Sequence, residues 1–291
     1  MLRLLLIASL ALLSMALASC QMSSRAVGHA GGESALTVGA NVASSRVISV
    51  GEIHGTAEIP QAVGLLAGSL LRTGKSVVVG MEISSNEQSK IDAYLQSNGT
   101  ATDREKLLSG PFWNSTFHDG RSSKAMAQLI EQIRVMVRAG HPVRVLAFDI
   151  GSIDALAGIS HDAVMARNVA RAIESYPNAT FVLLSGNLHA TKQETLPFDA
   201  EQRSMAFLLN KTHPVATFKA DFVGGSAWVC QGRTPSGGAD CRARPWEGYA
   251  SVDGPAFIRF DDDWRGAGRL QFDGTFFVGK TVTASPPAVS P

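Results

Sequence analysis

The chain of 291 residues is 45% hydrophobic and 18% charged, a composition that excludes a wholly disordered or collagen-like protein. Its 26 Lys and Arg residues nearly balance its 25 Asp and Glu residues, so the net charge of +1 provides no general basic surface for nucleic acid. No run of about 18 or more apolar residues follows the first twenty positions, which excludes a membrane protein with several spans.

The N-terminus has the layout of an export signal. Arg3 precedes an apolar run from Leu4 to Ala18, which is too short to span a bilayer comfortably. The run ends in LASC at residues 17–20, which resembles a bacterial lipobox. In such signals the cysteine is acylated, for example with palmitate, and becomes the mature N-terminus. The alternative is an ordinary cleavage site in which Cys20 is incidental.

We therefore expect residues 1–19 to be a lipoprotein signal peptide and Cys20 to anchor the chain to the membrane. Gln21 rather than Asp follows the cysteine, which by enterobacterial sorting favours the outer membrane, with the domain facing the periplasm or the cell surface. Residues 20–44 are rich in Ser, Gly and Ala and are expected to form a flexible tether.

The remaining elements alternate between strands and helices over a single domain, residues 45–281. Strands with buried-type apolar runs are predicted at 46–52, 76–83, 143–149, 180–186 and 215–220, and helices at 58–72, 86–96, 122–139, 161–174 and 201–209. This order predicts an α/β fold with a mostly parallel central sheet flanked by helices. From Gly224 onward, short runs such as 256–260 and 274–279 predict antiparallel edge strands or hairpins added to the same sheet.

Two cysteines follow the N-terminal region, Cys230 and Cys241, and they flank a turn-rich loop. In an exported, oxidising compartment such a pair predicts a disulfide. The Pro-rich tail, residues 282–291, is expected to be disordered. Motifs of P-loop and dinucleotide-binding proteins, of serine hydrolases and of zincin metalloproteases are absent from the sequence.

Polar residues follow four successive predicted strands. The first strand ends in Glu52 and His54, the second in Glu82 and the third in Asp149. Asn187 and His189 follow the fourth strand. Taken singly, each is more typical of a helix cap, a turn or a structural side chain. Because ligands bind outside the carboxyl ends of parallel strands, we expect these residues to converge there.

Two carboxylates beside two imidazoles suit two kinds of chemistry. Glu52, His54, Glu82 and His189 can hold a divalent cation, for example Mn²⁺, Zn²⁺ or Co²⁺, or they can perform acid–base catalysis. We predict that His54 acts as a base toward water and that Glu52 and Glu82 hold it or a metal ion. His189 would then protonate the leaving group or bind the metal.

The motif GEIHGT at residues 51–56, the acid Glu82, the later FD at 148–149 and LLSGNLHA at 183–190 resemble the erythromycin esterase, ChaN haem-uptake lipoprotein and Tiki protease superfamily. The resemblance implies an α/β sheet with its cleft at these strand ends. In the esterase branch the residue matching His54 is the general base and Glu82 orients it. In the Tiki branch the matching residues serve a metal, and in the ChaN branch a tyrosine binds haem.

The loop from Gly110 to Ser123 supplies further candidates. Arg121 is predicted to pair with an anionic substrate group or a developing oxyanion, and His118 to line the substrate site with Asp149 and Asn187. The alternative is an ordinary loop in which Asp119 or Ser122 caps the next helix.

The sequence as a whole favours a cell-envelope lipoprotein that hydrolyses an ester or a peptide, because water activation uses two carboxylates and two imidazoles directly. The alternative is a haem- or metal-binding uptake lipoprotein without catalysis, and a degenerate member kept for protein contacts is a third hypothesis. The lipoprotein architecture favours the ChaN-like branch, whereas the chain lacks the paired histidines that usually trail the first ChaN motif. The expected partners are the membrane and a small-molecule or peptide substrate, and not nucleic acid.

Overall fold

The computed structural model describes residues 36–151, 159–195, 201–252, 254–261 and 271–289. The predicted signal peptide and Cys20 lie outside the described residues. The chain from Ser34 to Pro291 forms one compact unit. No described helix combines the length and apolar character that crossing a membrane requires.

The predicted α/β architecture is confirmed. The described residues form an eight-stranded sheet in the order β1-β9-β10-β6-β2-β5-β3-β4. The pairs from β6 through β2, β5 and β3 to β4 are all parallel, and only β9 and β10 pair antiparallel. The strands of this sheet are β1 (Thr37–Val38), β2 (Val47–Glu52), β3 (Ser76–Ser84), β4 (Val143–Asp149), β5 (Ala179–Gly186), β6 (Val215–Asp221), β9 (Phe257–Phe260) and β10 (Gly274–Phe277).

Helices cover both faces of the sheet, which explains why β2 and β5 are buried along their whole length. The helices are α1 (Ala40–Ser44), α2 (Glu58–Arg72), α3 (Gln88–Gln96), α4 (Ala101–Leu107), α5 (Lys124–Arg138), α6 (His161–Ser175), α7 (Asn187–Ala190) and α8 (Met205–Asn210), and a 3₁₀ turn, Ser85–Glu87, precedes α3. One face of the sheet packs against α2, α3 and α5, and the other face packs against α6 and α8.

Serine hydroxyls set the start of the two long helices beside the site. The Ser123 side chain accepts the N–H of Met126 at the start of α5, and the Ser160 side chain accepts the N–H of Ala163 at the start of α6. The cap of α5 is thus Ser123, not Asp119 or Ser122. Both helices begin at the carboxyl edge of the sheet, where they bring their preceding loops to the strand ends.

The two C-terminal runs named in the sequence analysis join the main sheet as predicted, whereas the hairpin that precedes them does not. Strands β9 and β10 do join it, but β7 (Gly224–Arg233) and β8 (Ala239–Glu247) form a separate hairpin with β11 (Thr281–Val282). Both sides of β6 are already paired, with β2 and with β10, so the hairpin that directly follows β6 finds no free edge there. The predicted disulfide between Cys230 and Cys241 is present and links β7 to β8.

The two ends of the domain are more ordered than the sequence predicts. Within the predicted tether, β1 pairs with β9 and α1 packs on the sheet. The predicted disorder of the tail requires correction for residues 282–289. Val282 is buried, and Ala284 and Pro287 form backbone bridges with Thr56 and Ser123. The tail therefore gains backbone hydrogen bonds and apolar contacts along the loops that flank the carboxyl edge.

Candidate active site

Four neighbouring strands end at one edge of the sheet, and three of them carry an acidic residue there. Glu52 closes β2, Glu82 lies near the end of β3, Asp149 closes β4, and Gly186 closes β5. The register pairs Glu52 with Gly186, so these ends are level with each other. All three acidic residues are buried, with 2–4% of their surface exposed to solvent.

His54 lies in the turn after β2 between two carboxylates. Its Nδ1 atom is 3.0 Å from Oε1 of Glu52, and its Nε2 atom is 3.6 Å from Oε2 of Glu82. Burial disfavours the charged ring, but the Glu82 carboxylate and the hydrogen bond with Glu52 raise the pKa of His54 to about 9. Burial raises the pKa of Glu52 above its ordinary value. The pair therefore retains a proton on His54 at neutral pH.

His189 reaches the same carboxylate from the short helix α7. Its Nε2 atom lies 3.8 Å from Oε1 of Glu82, and its Nδ1 atom lies 2.8 Å from Oδ1 of Asp162. Asp162 is fully buried and also accepts the backbone N–H of Met205 at 2.6 Å. Burial opposes ionisation of Asp162, but the hydrogen bond with His189 lowers its pKa. An ionised Asp162 accepts the hydrogen bond from Nδ1 of His189 and so fixes the tautomer and the orientation of the ring.

The imidazole rings of His54 and His189 both lie close to Gly186. A Cβ atom on Gly186 would lie 2.9 Å from Nε2 of His54 and 3.7 Å from Cδ2 of His189. The backbone N–H of Gly186 donates to Oε2 of Glu82 at 2.8 Å. The absence of a side chain here leaves room for both rings. The predicted convergence of histidines from positions 54 and 189 is therefore present in the fold.

Arg121 binds the central carboxylate from the loop before α5. Its Nη1 atom lies 3.3 Å from Oε1 of Glu82 and 2.9 Å from Oδ2 of Asp149, and its Nε atom donates to Asp119 at 2.9 Å. Burial opposes the guanidinium charge, but the three carboxylates hold the Arg121 pKa above its ordinary value. The loop reaches this position because Gly120, at φ 102°, packs directly on the backbone of Gly55.

Two residues of the site, His161 and Asp162, are not among those predicted from the sequence. His161 Nε2 forms a short contact with Oδ1 of Asp149, and its ring packs edge-on against His189 at 5.4 Å between centroids. The hydrogen bond with Asp149 raises the pKa of His161. Both residues open α6, the helix that follows β4. Their place at the start of a helix after a strand end was the signal in the sequence.

Two predicted substrate residues lie outside the contacts around Glu82. His118 is buried, and its Nδ1 atom lies 3.1 Å from the hydroxyl of Ser122, so it orders its own loop. Its backbone carbonyl accepts the indole N–H of Trp228. Asn187 begins α7 beside the strand end, with a side-chain oxygen that has no partner among the described residues. The other predicted site residues all take part in the network.

The predicted four-ligand metal site is not confirmed. Glu52 lies on the Nδ1 side of the His54 ring and Glu82 on the Nε2 side, so the ring separates the two carboxylates. The guanidinium of Arg121 also forms an ion pair with the Glu82 carboxylate. Across the described ranges, no group of three or more His, Cys, Asp or Glu side chains is arranged to hold a metal ion. The donor set therefore does not suit a divalent cation.

The three tyrosines differ in their surroundings. Tyr94 is hydrogen-bonded to Glu131, and Tyr176 stacks under Arg144. Tyr249 lies at the carboxyl edge, but the ammonium of Lys219 covers its ring at 3.4 Å. The phenol of Tyr94 is therefore occupied, whereas Tyr249 is 63% exposed.

The fold is shared with solved structures at low sequence identity. A succinoglycan biosynthesis protein matches with a TM-score of 0.55 and 11% identity over 83% of this chain and 89% of its own. An erythromycin esterase variant in its open conformation matches with a TM-score of 0.50 and 13% identity over 73% of this chain and 77% of its own. The fold that the predicted resemblance implies is thus confirmed.

A haem-bound ChaN of Campylobacter jejuni is a more distant match, with a TM-score of 0.38 and 10% identity over 71% of this chain and 89% of its own. No family model matches the chain, and no curated protein is similar to it in sequence.

Proposed function

We propose that the protein is a hydrolase that activates water for attack on an ester or a peptide bond. The observation that carries the proposal is the pair of carboxylate-bound imidazoles whose Nε2 atoms both face Glu82, at 3.6 and 3.8 Å. His54 and His189 expose 20% and 17% of their side chains, so a substrate can reach them.

His54 is assigned as the base. Glu52 accepts a hydrogen bond from Nδ1, which fixes the ring and leaves Nε2 to take the proton of water once the imidazolium has lost its own. The raised pKa of about 9 means that this base form increases toward alkaline pH. Glu82 orients the ring and balances its charge, and it is held in place by the Gly186 N–H and by Arg121.

His189 is assigned as the acid that protonates the leaving group. Asp162 accepts a hydrogen bond from its Nδ1–H and so orients the ring, as the acid of a His–Asp pair does in other hydrolases. Arg121 is assigned a positioning role, because its guanidinium is already bonded to three carboxylates. No step of this scheme requires a metal ion.

The test is hydrolysis of a panel of aryl esters and fluorogenic peptides by the full-length chain. We expect His54→Gln and His189→Gln each to lower kcat/KM by about 10²- to 10⁴-fold, the range typical of acid–base groups. His141→Gln is the matched control, because His141 is exposed at the start of β4, at the opposite edge of the sheet. Turnover that is unchanged in both site variants would exclude the assignment.

We further propose that the domain is tethered to the bacterial envelope, with the outer membrane favoured, through lipid on Cys20. The support is the sequence alone: the apolar run that ends in LASC at residues 17–20. Globomycin, an inhibitor of lipoprotein signal peptidase, should cause the unprocessed chain to accumulate, and Cys20→Ser should abolish labelling with palmitate. Normal processing of the Cys20→Ser chain would contradict the anchor.

A further inference from the structure

One residue of the separate β7–β8 hairpin is bonded to both segments that surround the site. Trp228, in β7, donates its backbone N–H to the carbonyl oxygen of Gly55 at 2.9 Å. Its indole N–H donates to the carbonyl oxygen of His118 at 3.0 Å. Gly55 directly follows His54, the proposed base, and His118 directly precedes Asp119 in the loop before α5. Trp228 therefore joins the turn of the base to this loop.

The three segments approach each other through their backbones. A Cβ atom on Gly55 would lie 2.2 Å from the carbonyl oxygen of Trp228, and one on Gly120 would lie 2.4 Å from the backbone nitrogen of Gly55. Both glycines have positive φ, 79° and 102°, which other residues rarely adopt. Because no side chain separates β7 from the turn, or the turn from the loop, the position of β7 constrains both.

The indole bond reaches the centre of the site through the loop. The peptide unit that joins His118 to Asp119 is a rigid plane, so a bond to its carbonyl oxygen also orients the start of Asp119. The Asp119 carboxylate accepts from Nε of Arg121 at 2.9 Å and lies 2.8 Å from its Nη2 atom. Arg121 then donates to Glu82 at 3.3 Å. A continuous chain of contacts thus runs from Trp228 to the carboxylate that both imidazoles face.

The strand that carries Trp228 is itself restrained on both sides. It is the central strand of the three-stranded sheet, between β11 and β8. Two residues beyond Trp228, the disulfide from Cys230 to Cys241 ties β7 to β8, and the Cys230 sulfur lies 3.4 Å from the same His118 carbonyl oxygen. On the other side, the Ser226 hydroxyl accepts the backbone N–H of Ala284 at 3.0 Å. The indole therefore acts from a fixed position.

We propose that Trp228 is a positioning residue of the site, which holds the His54 turn and the Arg121 loop at a fixed distance so that Glu82 stays between the two imidazoles. The inference rests on the proposed hydrolase and adds a residue from outside the main sheet on which its geometry depends. Trp228 acts through Arg121 and Glu82 and not on the substrate. Its loss should therefore lower kcat and change KM little.

The link to Arg121 is tested without turnover. Solvent exchange of the Arg121 Nε–H, which is bonded to Asp119, is measured by NMR on the full-length chain labelled with ¹⁵N-arginine. Trp228→Phe removes the indole donor and should speed this exchange about five- to tenfold, the factor expected for one hydrogen bond of ordinary net strength. Unchanged exchange would overturn the proposal.

A second variant separates the hydrogen bond from the packing of the ring. Benzothienylalanine has the shape of tryptophan but no indole N–H, so its incorporation at Trp228 alone should speed the exchange of Arg121 while Tm stays near that of the wild-type protein. A fall in Tm with unchanged exchange would show that the indole only stabilises the hairpin, which contradicts a positioning role. This variant keeps the test valid even if Trp228→Phe does not fold.

The matched control is Trp246→Phe. Trp246 lies in β8 of the same hairpin, opposite Gly225, and packs against the apolar core. Among the described residues its indole makes no hydrogen bond to the turn or to the loop. Its replacement should leave kcat and the Arg121 exchange unchanged. An equal effect of both Phe variants would mean a general loosening of the hairpin, which contradicts a specific role of Trp228.

Turnover separates this inference from the proposed function. With any ester or peptide that the chain hydrolyses, Trp228→Phe should lower kcat by about tenfold or more, because small displacements of groups near the reacting atoms reduce the rate steeply. An unchanged kcat, or a change confined to KM, overturns the positioning role and leaves the hydrolase standing. Faster Arg121 exchange in a chain that hydrolyses no substrate sustains the link from Trp228 to Arg121 and overturns the hydrolase.

Discussion

The Nε2 atom of His54 lies 3.6 Å from Oε2 of Glu82, although the two residues belong to different strands and are 28 positions apart in the chain. The contact puts a raised-pKa imidazole against a buried carboxylate that Arg121 and Gly186 also hold. This contact is the basis of the predictions on pH and on geometry that follow.

Glu82→Gln should lower the pKa of His54. The Glu82 charge is the largest of the effects that raise this pKa to about 9, and Gln removes the charge while it keeps the shape of the side chain. The rise of kcat/KM with pH should therefore move to lower pH, in step with the ¹⁵N signals of the His54 ring. Glu131→Gln, on the helix α5 and bonded to Tyr94, serves as the control. An unmoved midpoint in Glu82→Gln would show that the base is not His54.

Gly186→Ala should disable the site and leave the fold intact. Gly186 has φ −56° and ψ 149°, a conformation that alanine adopts without strain, so the effect of the methyl group comes from its contact with His54 at 2.9 Å. We expect a loss of activity of tenfold or more with little change in Tm. Gly68→Ala is the control, because its methyl group would meet only ordinary contacts, at 3.5 Å and beyond. Full activity in Gly186→Ala would contradict the close approach of the two rings.

Stability should fall as the pH rises from neutral to alkaline values. The pKa of His54 is about 9 in the fold against 6.5 for the ordinary side chain, so its contribution to stability is complete below pH 6.5 and is lost as the pH passes 9. The full loss is about 3.4 kcal/mol, at 1.36 kcal/mol per pKa unit. Urea unfolding from pH 6 to 10 measures it. His54→Gln should flatten this dependence, and a slope identical to that of the wild-type protein would refute the coupling between His54 and its carboxylates.

The sequence predicts the site to the extent that strand ends determine it. Glu52, Glu82 and Asp149 each close an apolar run, and parallel strands bring such positions to one edge, so their convergence follows from the fold class. The contact of Arg121 depends instead on the packing of Gly120 against Gly55, a tertiary approach that no local pattern indicates.

Other features were not predictable from sequence for distinct physical reasons. Asp162 is typical of the first turn of a helix, so its bond with His189 is hidden behind an ordinary capping pattern. The separate β7–β8 hairpin depends on β6 already having two neighbours.

The most direct test of the central claim, that two imidazoles act together around Glu82, is a double-mutant cycle in kcat/KM with His54→Gln and His189→Gln. Groups that act as a unit in catalysis have non-additive effects. We predict that kcat/KM of the double variant is no lower than that of the less active single variant. Losses that multiply in the double variant, or full activity in either single variant, would contradict the account.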